Sequence, residues 1–180
     1  MKSPKEILNR SSKKLCLEAV QCAVQSNDFF NELLSLAFNE EDEPYSHRAG
    51  WSMVYLSQRH PNLIRPHMRS IATRLSELKG HSQIASFLRI FDEVKYDHGN
   101  FGDVLDYCIH TIRMPVKREY LKVISLNIML TFGKVYPELI PELIQNIEEA
   151  QPTFEMQGLK KKTKSVLKDL NRLLPKQTKI

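Results

Sequence analysis

The chain has 180 residues, of which 42% are hydrophobic and 26% are charged, and its formal net charge is +5. These fractions are typical of a soluble globular domain and exclude a wholly disordered or collagen-like chain. No apolar run approaches the roughly 20 residues that cross a bilayer. Residues 1–10 also lack the apolar core of a secretory signal. We therefore expect one domain over residues 1–180 with no transmembrane segment.

Helical spacing begins near the amino terminus. Apolar residues at three- and four-residue steps predict a first helix pair over residues 15–23 and 30–37. Ser26 lies between the two stretches and offers a helix N-cap. An acidic turn follows and ends at Pro44, which cannot continue a helix. The first pair is therefore predicted to end at this turn.

A second pair occupies the region around Pro61. The helix before this proline carries Trp51, Val54 and Tyr55 on one face, and we expect Trp51 to lie in the core. Pro61 opens the partner helix at a position where its missing N–H costs nothing. The buried stripe of the partner helix is predicted to contain Ile64, His67, Met68, Ile71 and Leu75. On this stripe His67 is expected to be a hydrogen-bonded histidine of the core or its boundary.

The rest of the chain continues in the same pattern. Its apolar stretches are residues 84–91, 104–112, 116–134, 137–147 and 159–174. The stretch over 116–134 is apolar all round, so we expect that helix to be sandwiched between neighbours. The last helix is amphipathic, with its lysines opposite the apolar stripe. No segment shows strand periodicity, so the chain is predicted to be all-α.

Three cysteines do not form a disulfide framework. Cys16 and Cys22 lie six residues apart in one predicted helix and point to different faces, so they cannot bridge. No Cys-x-x-Cys pair is present, which argues against a cysteine-based zinc site. All three thiols, with Cys108, fall on apolar stripes, where thiols are usually inert. We expect reduced cysteines and a cytoplasmic protein.

The chain contains an internal repeat. Pro61-x-Leu63-Ile64 recurs 76 residues later as Pro137-x-Leu139-Ile140, and a second proline follows each motif, at positions 66 and 141. The midpoint falls at Gly99, where the motif is absent. First helices restart near Ser46, His81 and Val116, 35 residues apart each time. This spacing predicts four helix pairs and a terminal helix, each pair burying its apolar faces against its neighbours.

These motifs resemble the HEAT repeat. The similarity is carried by Arg48-Ala49-Gly50-Trp51, by His60-Pro61-x-Leu63-Ile64, and by the segment from Arg118 through Pro137 to Ile147. It covers roughly residues 12–150 by pattern, and only 46–75 and 118–147 by residue type. The resemblance implies an α-solenoid, a right-handed stack of antiparallel helix pairs with about nine helices, that acts as a binding scaffold. An ordinary helix bundle is the alternative fold.

The positive charge is concentrated at the carboxyl terminus. Residues 158–180 carry eight basic side chains and one aspartate, a net +7, whereas the other 157 residues sum to −2. We interpret residues 153–180 as a basic capping helix and tail that keeps the end of the stack soluble. The alternative is a lysine face that binds phosphate or anionic lipid. The candidate phosphate-binding residues are Lys160, Lys161, Lys164 and Lys168.

A candidate partner surface follows from the resemblance. In HEAT-like stacks the second helices line the concave face, and their non-core positions are candidates for binding. The residues selected in this way are Arg65, Arg69, Asp103, Glu138 and Glu142. This surface is mostly acidic with one basic stripe, which opposes duplex nucleic acid and favours a protein or peptide with matching charges. The alternative is that these are ordinary solvated faces.

No catalytic constellation is visible. His98, Asp103, Asp106 and His110 form the best metal-like group, but no Glu-x-x-His provides a facing set, so a solvated polar face explains them better. The resemblance also brings in HEAT-like DNA glycosylases, whose aromatic-lined basic cleft is not evident here. We expect a noncatalytic protein-binding scaffold or adaptor without cofactor or metal. The alternatives are a nucleic-acid-associated protein acting through the lysine-rich helix, and an enzyme with an unrecognised site.

Overall fold

A computed structural model describes residues 2–115 and 119–174, and all regular secondary structure within these ranges is helical. The all-α prediction is confirmed. The chain divides into two compact units, Met1–Tyr96 and Asp97–Ile180. Within the described ranges, no helix is both long enough and apolar enough to cross a bilayer.

The first unit contains the first two predicted helix pairs and two further helices, one at each end. Its helices are α1 (Pro4–Ile7), α2 (Lys13–Gln25), α3 (Asn27–Phe38), α4 (Tyr45–Arg59), α5 (Pro61–Ile64), α6 (Met68–Leu75) and α7 (His81–Glu93). The predicted cap is present, since the Ser26 hydroxyl accepts a hydrogen bond from the N–H of Phe29 at 3.2 Å. Helix α4 is the centre of the unit and packs against α2, α3 and α7. Gly50 permits the close approach of α7, because a Cβ there would lie 2.9 Å from Ser86 Oγ.

Each proline-containing repeat motif produces a similar irregularity. Between α5 and α6 a 3-10 turn spans Arg65–His67, and a second one spans Pro137–Leu139 immediately before α10 (Ile140–Ala150). Pro66 lies inside the first of these turns and lacks the N–H that an α-helical hydrogen bond needs there. The single second helix predicted after Pro61 is therefore a broken helix.

The acidic turn before α4 connects distant parts of the first unit. The carboxylate of Glu40 accepts hydrogen bonds from the backbone N–H of Lys79, at 2.8 Å, and of Gly80. Gln83, in the first turn of α7, donates to Glu43 Oε1 at 2.8 Å and also to the Ser46 hydroxyl. The turn thus fixes the start of α7 as well as separating α3 from α4.

The second unit contains the remaining helices. They are α8 (Gly102–Arg113), α9 (Tyr120–Val135), α10 (Ile140–Ala150) and α11 (Gln157–Leu173). Helix α9 packs against both α8 and α11 and is buried on most of its circumference, so the predicted sandwiched helix is confirmed. Arg118, which contributed to the repeat resemblance, lies outside the described residues.

The boundary between the units falls inside the predicted third helix pair. Helix α7 belongs to the first unit and α8 to the second, and the segment between them holds Gly99 in place of the repeat proline. Counting α5 and α6 as one broken helix, the described residues contain the nine predicted helices. They also contain α1, which the sequence analysis did not predict.

Candidate functional site

A cleft in the first unit lies between α2 and α4 and has a volume of about 280 Å³. Its lining residues are Ser11, Ser12, Lys13, Cys16, His47, Arg48, Trp51 and Tyr55. His47, Trp51 and Tyr55 follow one another at four-residue steps, so they share one face of α4. The cleft therefore combines the aromatic rings of Trp51 and Tyr55, two serine hydroxyls and the basic side chains of Lys13 and Arg48.

Trp51 is half-buried at this cleft, so the expectation that it lies in the core is wrong. Its indole Nε1 donates a hydrogen bond to His47 Nε2 at 2.9 Å. The guanidinium carbon of Arg89, from α7, lies 5.3 Å from the Trp51 ring centroid. The buried side of α4 instead uses Ala49 and Met53, which are fully buried. Small residues such as Ala49 contribute little to an apolar pattern, and this explains why the sequence analysis assigned Trp51 to the buried face of α4.

The cations around the cleft have no acidic partner among the residues that the structure describes. Lys13 Nζ lies 5.8 Å from the Tyr55 ring centroid, and Arg48 donates from one terminal nitrogen to the carbonyl oxygen of Leu8 at 2.8 Å. Within the described part of the chain, no carboxylate lies at ion-pair distance from Lys13, Arg48 or Arg89. None of the described residues that line the cleft is acidic. The cleft is therefore an electropositive site with aromatic walls.

Cys16 lies against the same cleft as a buried thiol. Its sulfur donates to the carbonyl oxygen of Arg48 at 3.7 Å. Burial raises the pKa of the Cys16 thiol, and the hydrogen bond from Ser52 and the charge of Arg48 only partly oppose this. The thiol is therefore protonated at neutral pH and a poor nucleophile.

The structure places the predicted partner-binding residues on exposed surface. Arg65 and Arg69 are exposed in the first unit, and Asp103, Glu138 and Glu142 are exposed in the second. Arg65 also has a local structural role, since its Nε donates to the carbonyl oxygen of Lys95 at 3.1 Å and a terminal nitrogen donates to Asn62 Oδ1 at 2.9 Å. Exposure alone does not test binding, so this surface stays a prediction.

The lysines of α11 lie on the side opposite its packed stripe. Leu159, Val166 and Leu170 are fully buried, and α11 packs against α9 and α10. Gly133 of α9 allows this packing, because a Cβ there would lie 2.6 Å from Leu170 Cδ2. The exposed lysines among the candidate phosphate-binding residues are Lys161, Lys164 and Lys168, and Lys160 is half-buried.

The metal-like group of the sequence analysis does not form a site. Within residues 2–115 and 119–174, no three histidine, cysteine or acidic side chains come together in a way that could hold a metal ion. The His98 ring packs edge-on against Phe132 with centroids 5.0 Å apart, whereas Asp106 and His110 are exposed on α8. The solvated polar face that we expected describes Asp106 and His110, and Asp103 is exposed on the same helix.

A buried charged pair in the second unit was not predicted. Glu119, just before α9, accepts hydrogen bonds from the backbone N–H groups of Glu155 at 2.7 Å and Met156 at 2.6 Å. Lys122 is 2% exposed, and its Nζ lies 4.8 Å from the Phe154 ring centroid. Desolvation lowers the pKa of Lys122, and the charge of Glu119 opposes the shift. Through these contacts, the two side chains hold the segment between α10 and α11 against the start of α9.

Comparison with known proteins gives one positive result. A family model described as HEAT repeat domain matches residues 4–170. No curated protein matches the chain, and no solved structure matches it. The matched range includes both compact units and nearly all of α11, so the match extends beyond the residues that suggested the repeat.

Proposed function

The chain belongs to the HEAT repeat domain family, and we propose on that premise that it is a noncatalytic scaffold or adaptor that binds another protein. HEAT repeats are helical-repeat scaffolds that commonly mediate protein interactions. The proposal includes a cytoplasmic location, which is supported by the free thiols of Cys16, Cys22 and Cys108.

The cleft between α2 and α4 is the observation that carries this proposal. Trp51 and Tyr55 are half-buried there beside Arg48. Tryptophan, tyrosine and arginine are the residue types most enriched among the side chains that dominate binding energy at protein interfaces. A rigid aromatic pair offers large contact area at small entropic cost. We therefore propose this cleft as the main partner-binding site.

Exposed charges on each unit remain part of the proposal. In the first unit they are Arg65 and Arg69, in the second they are Asp103, Glu138 and Glu142, and each set suits a partner of opposite charge. Exposed charges of this kind contribute more to association rate and specificity than to affinity. We therefore expect them to have a smaller effect on binding than the aromatic cleft.

Affinity capture from native lysate tests the proposal directly. The full chain is used as bait with and without nuclease, beside the double variants Trp51→Ala/Tyr55→Ala and Arg65→Glu/Arg69→Glu. We expect a discrete protein partner that survives nuclease and is lost with the aromatic variant. Loss with only the arginine variant would move the site to the second helices. Recovery of nucleic acid alone would refute the scaffold function.

The alternative function is binding of nucleic acid through α11. Lys161, Lys164 and Lys168 lie exposed on one helix, and Asp169 is engaged by Arg172 at 3.6 Å. Lysines that neutralise phosphates release counterions, so such binding weakens steeply with salt. Binding to single-stranded DNA would then fall with salt and disappear when these three lysines are changed to glutamine. An affinity that does not change with salt concentration would exclude nucleic-acid binding through the lysines of α11.

A further inference from the structure

We infer that the cleft between α2 and α4 binds an acidic peptide segment, with a carboxylate against Lys13 and Arg48 and an apolar side chain against Trp51 and Tyr55. The inference rests on the proposed protein-binding function and specifies the chemistry of the partner. It is carried by the charge of the cleft, by the geometry of its aromatic rings and by its size.

The charge of the cleft selects an anion. Lys13 and Arg48 line it, and Arg89 lies over the Trp51 ring, with no carboxylate at ion-pair distance in the described ranges. Among the described residues, the Arg48 guanidinium uses one of its five N–H donors in a hydrogen bond, on the carbonyl of Leu8. The remaining donors suit a carboxylate, which arginine can bind through two parallel hydrogen bonds.

The aromatic rings select an apolar neighbour for that anion. The Trp51 N–H is already satisfied by His47, so the indole offers its ring surface rather than a hydrogen bond. The Trp51 and Tyr55 ring centroids lie 6.1 Å apart with an interplanar angle of 35°, which leaves the rings in tilted contact on one helix face. An aliphatic or aromatic side chain that covers these half-buried rings removes apolar surface from water.

The size of the cleft suits a small number of side chains. Its volume of about 280 Å³ is at the lower end of the roughly 300–1,000 Å³ that is typical of small-molecule sites. One acidic and one apolar side chain fit such a volume while the rest of the peptide lies along the surface. A single-stranded nucleic acid would instead need a longer basic groove with successive stacking platforms.

Trp51 is the single tryptophan of the chain, so its fluorescence reports on this cleft alone. The full chain is titrated with acetyl-Asp-Glu-Phe-Asp-Glu-amide, with the uncharged acetyl-Asn-Gln-Phe-Asn-Gln-amide, and with a short oligothymidylate. We expect the acidic peptide to change the fluorescence and to bind about tenfold more tightly than the uncharged one. The difference should shrink as salt screens the charges.

Two lysine variants provide a matched pair for the titration. Lys13 lines the cleft and Lys14 does not, although both are exposed in the first turn of α2. Changing either to glutamate places a carboxylate at the amino terminus of the same helix, so the effects on helix stability are alike. Lys13→Glu is expected to weaken peptide binding about tenfold or more, and Lys14→Glu less than about twofold.

Three results would overturn the inference. They are equal affinity for the acidic and uncharged peptides, equal losses from Lys13→Glu and Lys14→Glu, or tighter binding of the oligothymidylate in competition with the peptide. These outcomes are distinct from failure of the scaffold function. A partner that is captured equally by the wild type and by Lys13→Glu would leave the scaffold in place and refute only the acidic-peptide site.

Discussion

The buried carboxylate of Glu119 gives the sharpest stability prediction. Each of its oxygens accepts one backbone N–H, from Glu155 and from Met156, and Lys122 is buried one turn along α9. Glu119→Gln keeps the shape of the side chain but replaces one acceptor oxygen with an amide that faces a backbone donor. A hydrogen bond to a charged group contributes about 1.5–3 kcal/mol, and an unsatisfied buried donor costs about 1–3 kcal/mol. We therefore expect a loss of about 3–5 kcal/mol in the free energy of unfolding.

Urea unfolding followed by circular dichroism measures the total effect, and amide hydrogen exchange at Glu155 and Met156 measures the local one. Glu155→Gln is the matched control, because that side chain is exposed and its backbone N–H is retained. The control should change stability by less than about 0.5 kcal/mol. The reasoning is refuted if Glu119→Gln behaves like the control and leaves both amides equally protected.

Three further measurements test other parts of the structure. Lys122 has a folded-state pKa below its ordinary value, so the folded protein holds this proton less tightly than the unfolded chain. The stability of the wild type relative to Lys122→Met should therefore rise as the pH approaches the ordinary lysine pKa from below, and a fall would contradict the burial. Leu170→Ala should cost about 2–5 kcal/mol of unfolding free energy in urea, because Leu170 is fully buried against α9. Leu173→Ala, at a side chain 40% exposed, should cost less than about 0.5 kcal/mol, and equal losses would argue against the packing of α11. In the folded protein an aromatic disulfide reagent should modify half-buried Cys22 before buried Cys16, and the reverse order would show that the Cys16 thiol is accessible.

Sequence periodicity predicted nine of the described helices, counting α5 and α6 as one, but it missed α1 and placed α7 and α8, which belong to different units, in one pair. The repeated proline motif predicted that second helices start at Pro61 and Pro137; α5 starts at Pro61, whereas a 3-10 turn starts at Pro137 and α10 follows from Ile140. It did not reveal that a second proline would interrupt the first of them, because Pro66 fits the first turn of a new helix as well as a 3-10 turn. The spacing of apolar residues therefore does not predict where a helix is interrupted or which of its faces is buried.

The candidate site could not be predicted in the same way. The sequence placed Trp51 in the core because bulky apolar residues dominate any periodic pattern. In the structure, small residues such as Ala49 and Gly50 face the neighbouring helices closely, and the larger rings are displaced toward the cleft. The partners of the cleft also come from α2 and α7, at sequence separations that no helical period connects.

The distribution of charge along the sequence predicted the basic carboxyl-terminal helix but not the buried charges of the second unit. The sequence located the basic carboxyl-terminal helix and its apolar stripe, and the stripe is buried at Leu159, Val166 and Leu170 but exposed at Leu173. It gave no indication that Lys122 would be buried, since a lysine within an apolar helix ordinarily extends to solvent. The carboxylate that accompanies it, Glu119, is close in sequence, but its two backbone partners are 36 and 37 residues away.

The turn before α4 also affects how the first unit unfolds. In an ideal repeat array each repeat contributes its own stability and one interface, so repeats can be removed or added as modules. Here Glu40 accepts hydrogen bonds from the backbone N–H groups of Lys79 and Gly80, which immediately precede α7 and lie about 40 residues later in the chain. Removing the α3–α4 turn would therefore also leave these two donors without their acceptor. This dependence couples the stability of the start of α7 to that of the turn, and the coupling acts equally in both directions.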